Sequence, residues 1–162
     1  MELLYSDDVF IEYLMPNMSS HHVVSIPAEV TKGFPKGTRT RVLLKVDNLV
    51  EIQCGLNARG PGERCMMISK ANMEKGAFLL GQKVHIDVYV DPNPLGVEIP
   101  EVLEALIAQD PIIAKVWDKL SDGRKRTICH STKRIKNIDL QVERALEFFE
   151  AEREKQAQKW KK

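Results

Sequence analysis

Cysteine, aromatic residues and long apolar runs are all scarce in this chain of 162 residues. Its three cysteines are an odd number without a CxxC spacing, which argues against a disulfide framework and favours a reducing compartment. No apolar run approaches the roughly 18 residues of a membrane-spanning helix, and the acidic start MELLYSDDVF lacks the positive region of a signal peptide. The sequence therefore predicts a cytoplasmic protein with no membrane partner.

The common catalytic motifs are also missing. There is no nucleophile elbow, no glycine-rich phosphate loop and no HExxH pair, so we expect neither catalysis nor a cofactor. His85 and Asp87 share one face of a predicted strand, as a carboxylate-oriented histidine does in acid–base chemistry, but the sequence supplies no third partner. A solvent-facing pair is therefore the favoured interpretation. An enzyme of an unrecognised type stays open, and it would need a pocket lined by His85, Asp87 or Cys54.

Two cysteines flank a loop rich in glycine and proline. Cys54 and Cys65 are equidistant from the Arg59–Gly60 centre of that loop, so a symmetric hairpin would place the two thiols opposite each other. Redox chemistry or zinc binding with a nearby histidine is one hypothesis, although no recognised ligand spacing supports a metal site. Packing in the core is favoured, because small buried thiols are common there.

The remaining composition is that of a globular protein with an uneven charge. Hydrophobic residues make up 43% and charged residues 29%, which is enough apolar material for a core. Residues 1–120 hold 12 Lys or Arg against 16 Asp or Glu, whereas residues 121–162 hold 12 against 7. The net charge therefore changes from −4 to +5, and a basic end of this kind permits an anionic partner.

The first part of the chain predicts short β-strands. Apolar residues alternate with polar ones in residues 39–47 and 83–90, which indicates half-buried strands. A tight hairpin turn is expected at Asp47–Asn48, because both residue types tolerate positive φ. Further strands are predicted at residues 9–14, 21–26, 49–54 and 64–68, giving about six in all. Because a small sheet with long open edges invites aggregation, we expect a closed or nearly closed β-barrel over residues 1–92.

The pattern changes at residues 91–96, where two prolines and a glycine end the alternation. Helices are predicted to begin near Pro100, at Asp110–Pro111, at Ser121 and near residues 137–139. A helical segment is thus expected over residues 96–150. Beyond it, residues 151–162 predict a charged helical or frayed tail. The predicted fold class is α+β, a barrel followed by helices.

Two stretches resemble known families. The downstream stretch resembles the YdeI/OmpD-associated, or bacteriocin-protection, family through VEIPE at 97–101, Leu103, Leu106, Leu120–Ser121, RKR at 124–126 and RAL at 144–146. The upstream stretch resembles the barrel domain of unknown function often fused to that family, through SIPAEV at 25–30, residues 62–69 and LGQKV at 80–84. The resemblance implies a double-split β-barrel similar to AbrB-like folds and implies no established activity. Residues 133–141 depart from the family's basic stretch, keeping only Lys133, Arg134 and Lys136.

The helix predicted to begin at Ser121 carries cations at an unusual place. Arg124, Lys125 and Arg126 lie in its first turn, where positive charge opposes the helix dipole at a cost of about 0.3–1 kcal/mol each. Such a cluster is favourable if the side chains and amide hydrogens together hold an anion. The alternative is a solvated, salt-screened helix start. Lys133 and Arg134 would extend the basic surface.

These features lead to three hypotheses of function. The first is a non-catalytic binding or stress-protection protein whose basic helical surface takes an anionic ligand or protein partner. The second is an AbrB-like DNA-associated regulator, with a further basic strand face at Arg39, Arg41 and Lys45. Nucleic acid is not favoured, because few aromatic residues are interleaved with the cations. The third is the enzyme of unrecognised type.

Overall fold

A computed structural model describes residues 1–15 and 21–161 of the chain. It has eight β-strands, five α-helices and two 3-10 helices in the described part, so the α+β class is confirmed. The chain divides into two compact units, Met1–Gly96 and Val97–Lys162, which are described separately. Pro16–Asn17 and Ser19–Ser20 predict a turn between the strands expected at residues 9–14 and 21–26, and that turn lies outside the described residues.

The N-terminal unit contains two antiparallel sheets of four strands. In chain order the strands are β1 (Leu3–Phe10), β2 (Glu12–Tyr13), β3 (His22–Pro27), β4 (Val42–Val46), β5 (Val50–Cys54), β6 (Asn57–Ala58), β7 (Glu63–Ile68) and β8 (Lys83–Val90). One sheet has the order β1-β8-β4-β5 and the other the order β2-β3-β7-β6. A helix, α1 (Lys70–Lys75), connects β7 to β8.

A single apolar core unites the two sheets. Val24, Leu44, Met66 and Ile86 are fully buried in it, each from a different strand. Beyond the hydrogen-bonded ladders, β1 also contacts β3, and β5 contacts β7. Within the described residues the ladders form two sheets and not one closed ring.

The strongest alternating patterns predict their strands well. In β8, Val84, Ile86 and Val88 are buried while Lys83 and His85 are exposed, as the period of two requires. The hairpin between β4 and β5 is confirmed, because Asp47 and Asn48 have φ of 49° and 57°.

The acidic start of the chain forms a strand that its residue pattern does not predict. A strand was predicted at residues 9–14, but β1 covers Leu3–Phe10 and pairs along its length with β8. Leu4, Tyr5 and Val9 pack against the core, whereas Asp7 and Asp8 stay exposed. The register shifts between Leu3 and Tyr5, and this irregularity hides the alternation.

The C-terminal unit consists of four helices. They are α2 (Glu101–Gln109), α3 (Pro111–Lys119), α4 (Asp122–Arg134) and α5 (Ile138–Lys159). Three of them begin at side chains that accept from free backbone N–H groups: Asp110, Ser121 and Asn137. No helix in the described part of the chain is long and apolar enough to span a membrane.

The last helix is packed further than its sequence suggests. Glu152 is buried, and the Gln156 side-chain amide donates to the Val116 carbonyl at 3.1 Å. Of the charged helical or frayed tail expected over residues 151–162, the structure has helix through Lys159, and Glu152 and Gln156 contact neighbouring groups. The apolar periodicity of the sequence does not reveal these contacts, because both side chains are polar and are held by specific polar partners.

Candidate functional site: a basic helix face and a serine–histidine–aspartate cluster

The five predicted anion-binding residues all lie on α4, but they do not form one cluster. Arg124 lies beside α5, where its Nε donates to Glu152 Oε1 at 3.0 Å and its Nη2 contacts the same oxygen. Its guanidinium carbon is also 5.0 Å from the centre of the Phe148 ring. Arg124 is thus occupied within the unit, since it is hydrogen-bonded to a buried carboxylate.

Lys125 also has an internal partner. Its Nζ lies 5.4 Å from the centre of the Trp117 ring on α3, within the range of a cation–π interaction. Two of the three cations in the first turn therefore contact neighbouring helices. The Glu152 carboxylate and the Trp117 ring both attract positive charge. These contacts therefore explain why Arg124 and Lys125 lie near the positive end of the helix dipole, and no bound anion is needed.

The outer face of α4 carries the remaining cations. Ile128, Cys129 and Thr132 are buried on the opposite side. At about 100° per residue, the outward arc holds a polar set that we call the α4 outer face. Its members are Arg126, Thr127, His130, Lys133 and Arg134. Arg126 is half-buried and the other four are exposed.

The basic strand face predicted at Arg39, Arg41 and Lys45 is wrong. Arg39 belongs to a 3-10 helix, Gly37–Arg39, and not to the strand. Arg41 is half-buried, with its guanidinium against Gly55 and Gly96. Lys45 Nζ lies 3.1 Å from Glu51 Oε1. Arg39 therefore lies outside the strand, and Arg41 and Lys45 make separate local contacts.

A second arrangement lies on the exposed face of the sheet that contains β1 and β8. Strand pairing sets Asp8 opposite His85 and Ser6 opposite Asp87. His85 Nδ1 is 2.7 Å from Asp8 Oδ1, and Ser6 Oγ is 3.1 Å from His85 Nε2. We call these four side chains the Ser6–His85 cluster. The histidine thus has partners on both ring nitrogens, including the third partner that the sequence did not reveal.

Asp87 contacts the same serine. The Ser6 hydroxyl donates to Asp87 Oδ1 at 2.7 Å, and His85 Nε2 lies 3.4 Å from that oxygen. The hydrogen bond to Asp8, followed by the charge of Asp87, raises the pKa of His85 above its ordinary value of 6.5. Both carboxylates favour the imidazolium form, because they attract its charge.

The cysteines do not face each other as predicted. Cys54 lies opposite Val42 in one sheet, and Cys65 lies opposite Ser25 and Asn57 in the other. The short strand β6, and not β5, forms the hairpin with β7. Burial raises the pKa of the Cys54 thiol to about 12, which keeps it protonated.

No group of three or more His, Cys, Asp or Glu among the described residues is arranged to hold a metal ion. Comparison with known proteins gave no match to a family model, a curated protein or a solved structure.

Proposed function

We propose that this is a binding protein of the bacteriocin-protection type, whose α4 outer face takes an anionic, phosphate-bearing partner. The supporting observation is that Arg126, Lys133 and Arg134 share one side of α4 with two hydroxyl- or imidazole-bearing residues, Thr127 and His130. Cations supply attraction to phosphate, and the neutral polar groups supply hydrogen bonds to its oxygens. Arg124 and Lys125 then serve to fix α4 against its neighbours.

The dimensions of the face suit an extended ligand. From Arg126 to Arg134 the helix rises about 12 Å, so cations at its two ends reach separate phosphate groups. Lys133 and Arg134 lie in the last turn, where the helix dipole favours positive charge. An extended polyanion therefore fits this face better than one small ion.

The test uses inorganic polyphosphate as the probe. The full chain is titrated at about 50 mM salt, and binding is measured by calorimetry. The variant Arg126→Gln/Lys133→Gln/Arg134→Gln should lose about tenfold or more in affinity, because each lost contact removes counterion release. The affinity of this variant should also depend less steeply on salt concentration, because fewer counterions are released on binding.

A matched variant removes the same charge elsewhere. Lys36, Lys70 and Lys75 are exposed residues of the N-terminal unit, and their replacement by glutamine should leave polyphosphate affinity within about twofold. If the two triple variants bind alike, attraction comes from net charge alone and the α4 outer face is not a site. Absence of binding by the unaltered chain contradicts the proposal directly.

A DNA-associated regulator is the second candidate, and one observation favours it. β1 and β5, the two edge strands of one sheet, contact β3 and β7, the two inner strands of the other, and such contacts favour a double-split barrel of the AbrB-like kind. Duplex DNA in place of polyphosphate distinguishes this candidate. Three phosphate contacts predict a slope of about −2.7 in log affinity against log salt concentration, and a chain that binds polyphosphate but not duplex DNA rejects it.

The cysteines support a cytoplasmic location for either candidate. Cys54, Cys65 and Cys129 are all free thiols, and burial raises the pKa of each. Free thiols persist most readily in a reducing compartment.

A further inference from the structure

The Ser6–His85 cluster has the geometry of an activated nucleophile. A hydroxyl, an imidazole and a carboxylate stand in sequence, with 3.1 Å from Ser6 Oγ to His85 Nε2 and 2.7 Å from His85 Nδ1 to Asp8 Oδ1. Both distances fall within the hydrogen-bonding range of a nucleophile, its base and the group that orients the base. The cross-strand register of β1 and β8 holds the three side chains together.

We propose that Ser6 is a nucleophile activated by His85 and oriented through Asp8, which gives the N-terminal unit a hydrolytic activity toward activated aryl esters. This activity is independent of the anionic partner proposed for the α4 outer face. Asp8 keeps a proton on Nδ1, so that Nε2 of a neutral His85 is free to accept the hydroxyl proton of Ser6. Removal of that proton turns the hydroxyl into an effective attacking group.

Asp87 determines when the cluster is active. With His85 protonated, both ring nitrogens donate, and the Ser6 hydroxyl donates to Asp87 Oδ1 at 2.7 Å. Once the ring loses its Nε2 proton, the hydroxyl has two acceptors, Nε2 and Asp87. The rate should therefore rise as pH passes through the pKa of His85, which Asp8 and Asp87 hold above 6.5.

Other charged groups around the ring act on the same proton. Asp7 and Lys83 lie on the two paired strands. Hydrogen bonds from the Tyr5 hydroxyl and the Asp8 backbone N–H lower the pKa of Asp7, and the charge of His85 lowers it further. On β4, Lys45 lies opposite Asp87 and is itself paired with Glu51 at 3.1 Å. Their charges nearly cancel, so Asp8 and Asp87 dominate the electrostatics of His85.

The exposed position of the cluster defines the substrate class. Ser6 and His85 lie on an open sheet face, so a substrate is selected by its reactivity and not by a fitted pocket. An aryl ester suits such a site, because its phenolate is a stable leaving group and requires little help from an oxyanion hole. The aspartates also disfavour a negatively charged ester, since Asp7, Asp8 and Asp87 all lie nearby.

The reaction is balanced without a cofactor. Ser6 Oγ forms a bond to the carbonyl carbon while its proton passes to His85 Nε2, and the bond from that carbon to the aryl oxygen breaks to release phenolate. The phenolate or solvent takes the proton from Nε2. Water then attacks the acyl-serine with neutral His85 as its base, which releases the carboxylic acid and restores Ser6.

The test uses p-nitrophenyl acetate with the full chain. Release of p-nitrophenolate is followed by absorbance, and the acetylated residue is identified by peptide mass spectrometry after a rapid acid quench. General-base assistance typically contributes about 10²–10⁴-fold, and the open site places the expected ratio between the unaltered chain and Ser6→Ala near the lower limit. Ser131→Ala, at an exposed serine of α4, should leave the rate unchanged.

The variant Asp8→Asn tests whether Asp8 orients and charges His85 or only stabilises the fold. It should lower the acylation rate and shift the pH profile toward lower pH, because the charge that raises the pKa of His85 is removed. Acetyl groups found only on lysines or on His85, or a Ser6→Ala rate equal to that of the unaltered chain, overturn the proposal. The peptide map of the unaltered chain decides the question even if Ser6→Ala does not fold.

Discussion

Removal of Arg124 should destabilise the C-terminal unit more than removal of its partner, Glu152. Glu152 is 9% exposed at its side chain, whereas Arg124 is 44% exposed. Arg124→Gln leaves a buried carboxylate whose nearest remaining cation is Lys155 Nζ at 3.6 Å. Glu152→Gln leaves instead a guanidinium that water reaches. The two single substitutions are therefore unequal, although they break the same contact.

The magnitudes follow from burial. Removing one partner of a fully buried pair costs about 3–5 kcal/mol, and the partial exposure of Arg124 and the presence of Lys155 reduce this to about 2–3 kcal/mol for Arg124→Gln. Loss of its contact with Phe148 is included in that range. Glu152→Gln should cost about 1.5–2 kcal/mol, the lower part of the range for a hydrogen bond to a charged group. The double variant should cost less than the sum by about 1–2 kcal/mol.

Urea unfolding followed by tryptophan fluorescence measures this difference. Trp117 and Trp160 are the only tryptophans of the chain, and both belong to the C-terminal unit, so the signal reports that unit alone. Lys155→Gln is the control and should cost less than about 0.5 kcal/mol, because the Lys155 ammonium is exposed and its contact with Glu152 is long, at 3.6 Å. Strict additivity of the two substitutions, or a smaller cost for Arg124→Gln than for Glu152→Gln, refutes the reasoning.

Three further outcomes are expected in the N-terminal unit. Gly76→Ala should cost about 1–3 kcal/mol in urea unfolding, because a Cβ there lies 2.1 Å from the Phe78 ring, and an unchanged midpoint contradicts that contact. Cys54 should resist iodoacetamide at about pH 8 until the chain unfolds, since burial raises its pKa to about 12; rapid labelling of the folded chain would show an open thiol. The folded-state pKa of His85 is raised, so its contact with Asp8 should stabilise β1 fully below pH ~6.5 and less as pH rises through the folded value. Amide exchange across β1 should show this dependence, and His85→Gln should abolish it.

The sequence predicted those strands and helices whose signals come from neighbouring residues, such as alternating burial in a strand or a capping residue at a helix start. The alternation of β8 and the positive φ of the β4–β5 turn depend on neighbouring residues, and so do the caps at Asp110 and Ser121. β1 was missed because its alternation is interrupted by a register shift and by two adjacent aspartates. Its stability comes from pairing with β8, at the other end of the N-terminal unit, and such a contact leaves no local signal.

In the candidate sites too, contacts between residues close in sequence were predictable, whereas contacts between residues far apart in sequence were not. Helical spacing could have separated Arg126, Lys133 and Arg134 from the buried side of α4. It could not have shown that Arg124 pairs with Glu152, which is 28 positions away. The Ser6–His85 cluster was harder still, since Asp8 is separated from His85 by 77 positions. Predicting this cluster requires the correct bounds of β1 and its register against β8, which set Asp8 opposite His85.

Charge determines which ligand each candidate site can accept. Asp8 and Asp87 contact His85 and Ser6, so a polyanion approaching that face meets repulsion, whereas a neutral ester does not. On α4 the two cations nearest the start of the helix are engaged by Glu152 and Trp117, whereas Lys133 and Arg134 on the outer face are exposed. Engagement of Arg124 and Lys125 inside the unit therefore does not neutralise the basic surface. It moves the centre of that surface toward the end of α4, where the helix dipole supports positive charge and an incoming phosphate meets exposed side chains.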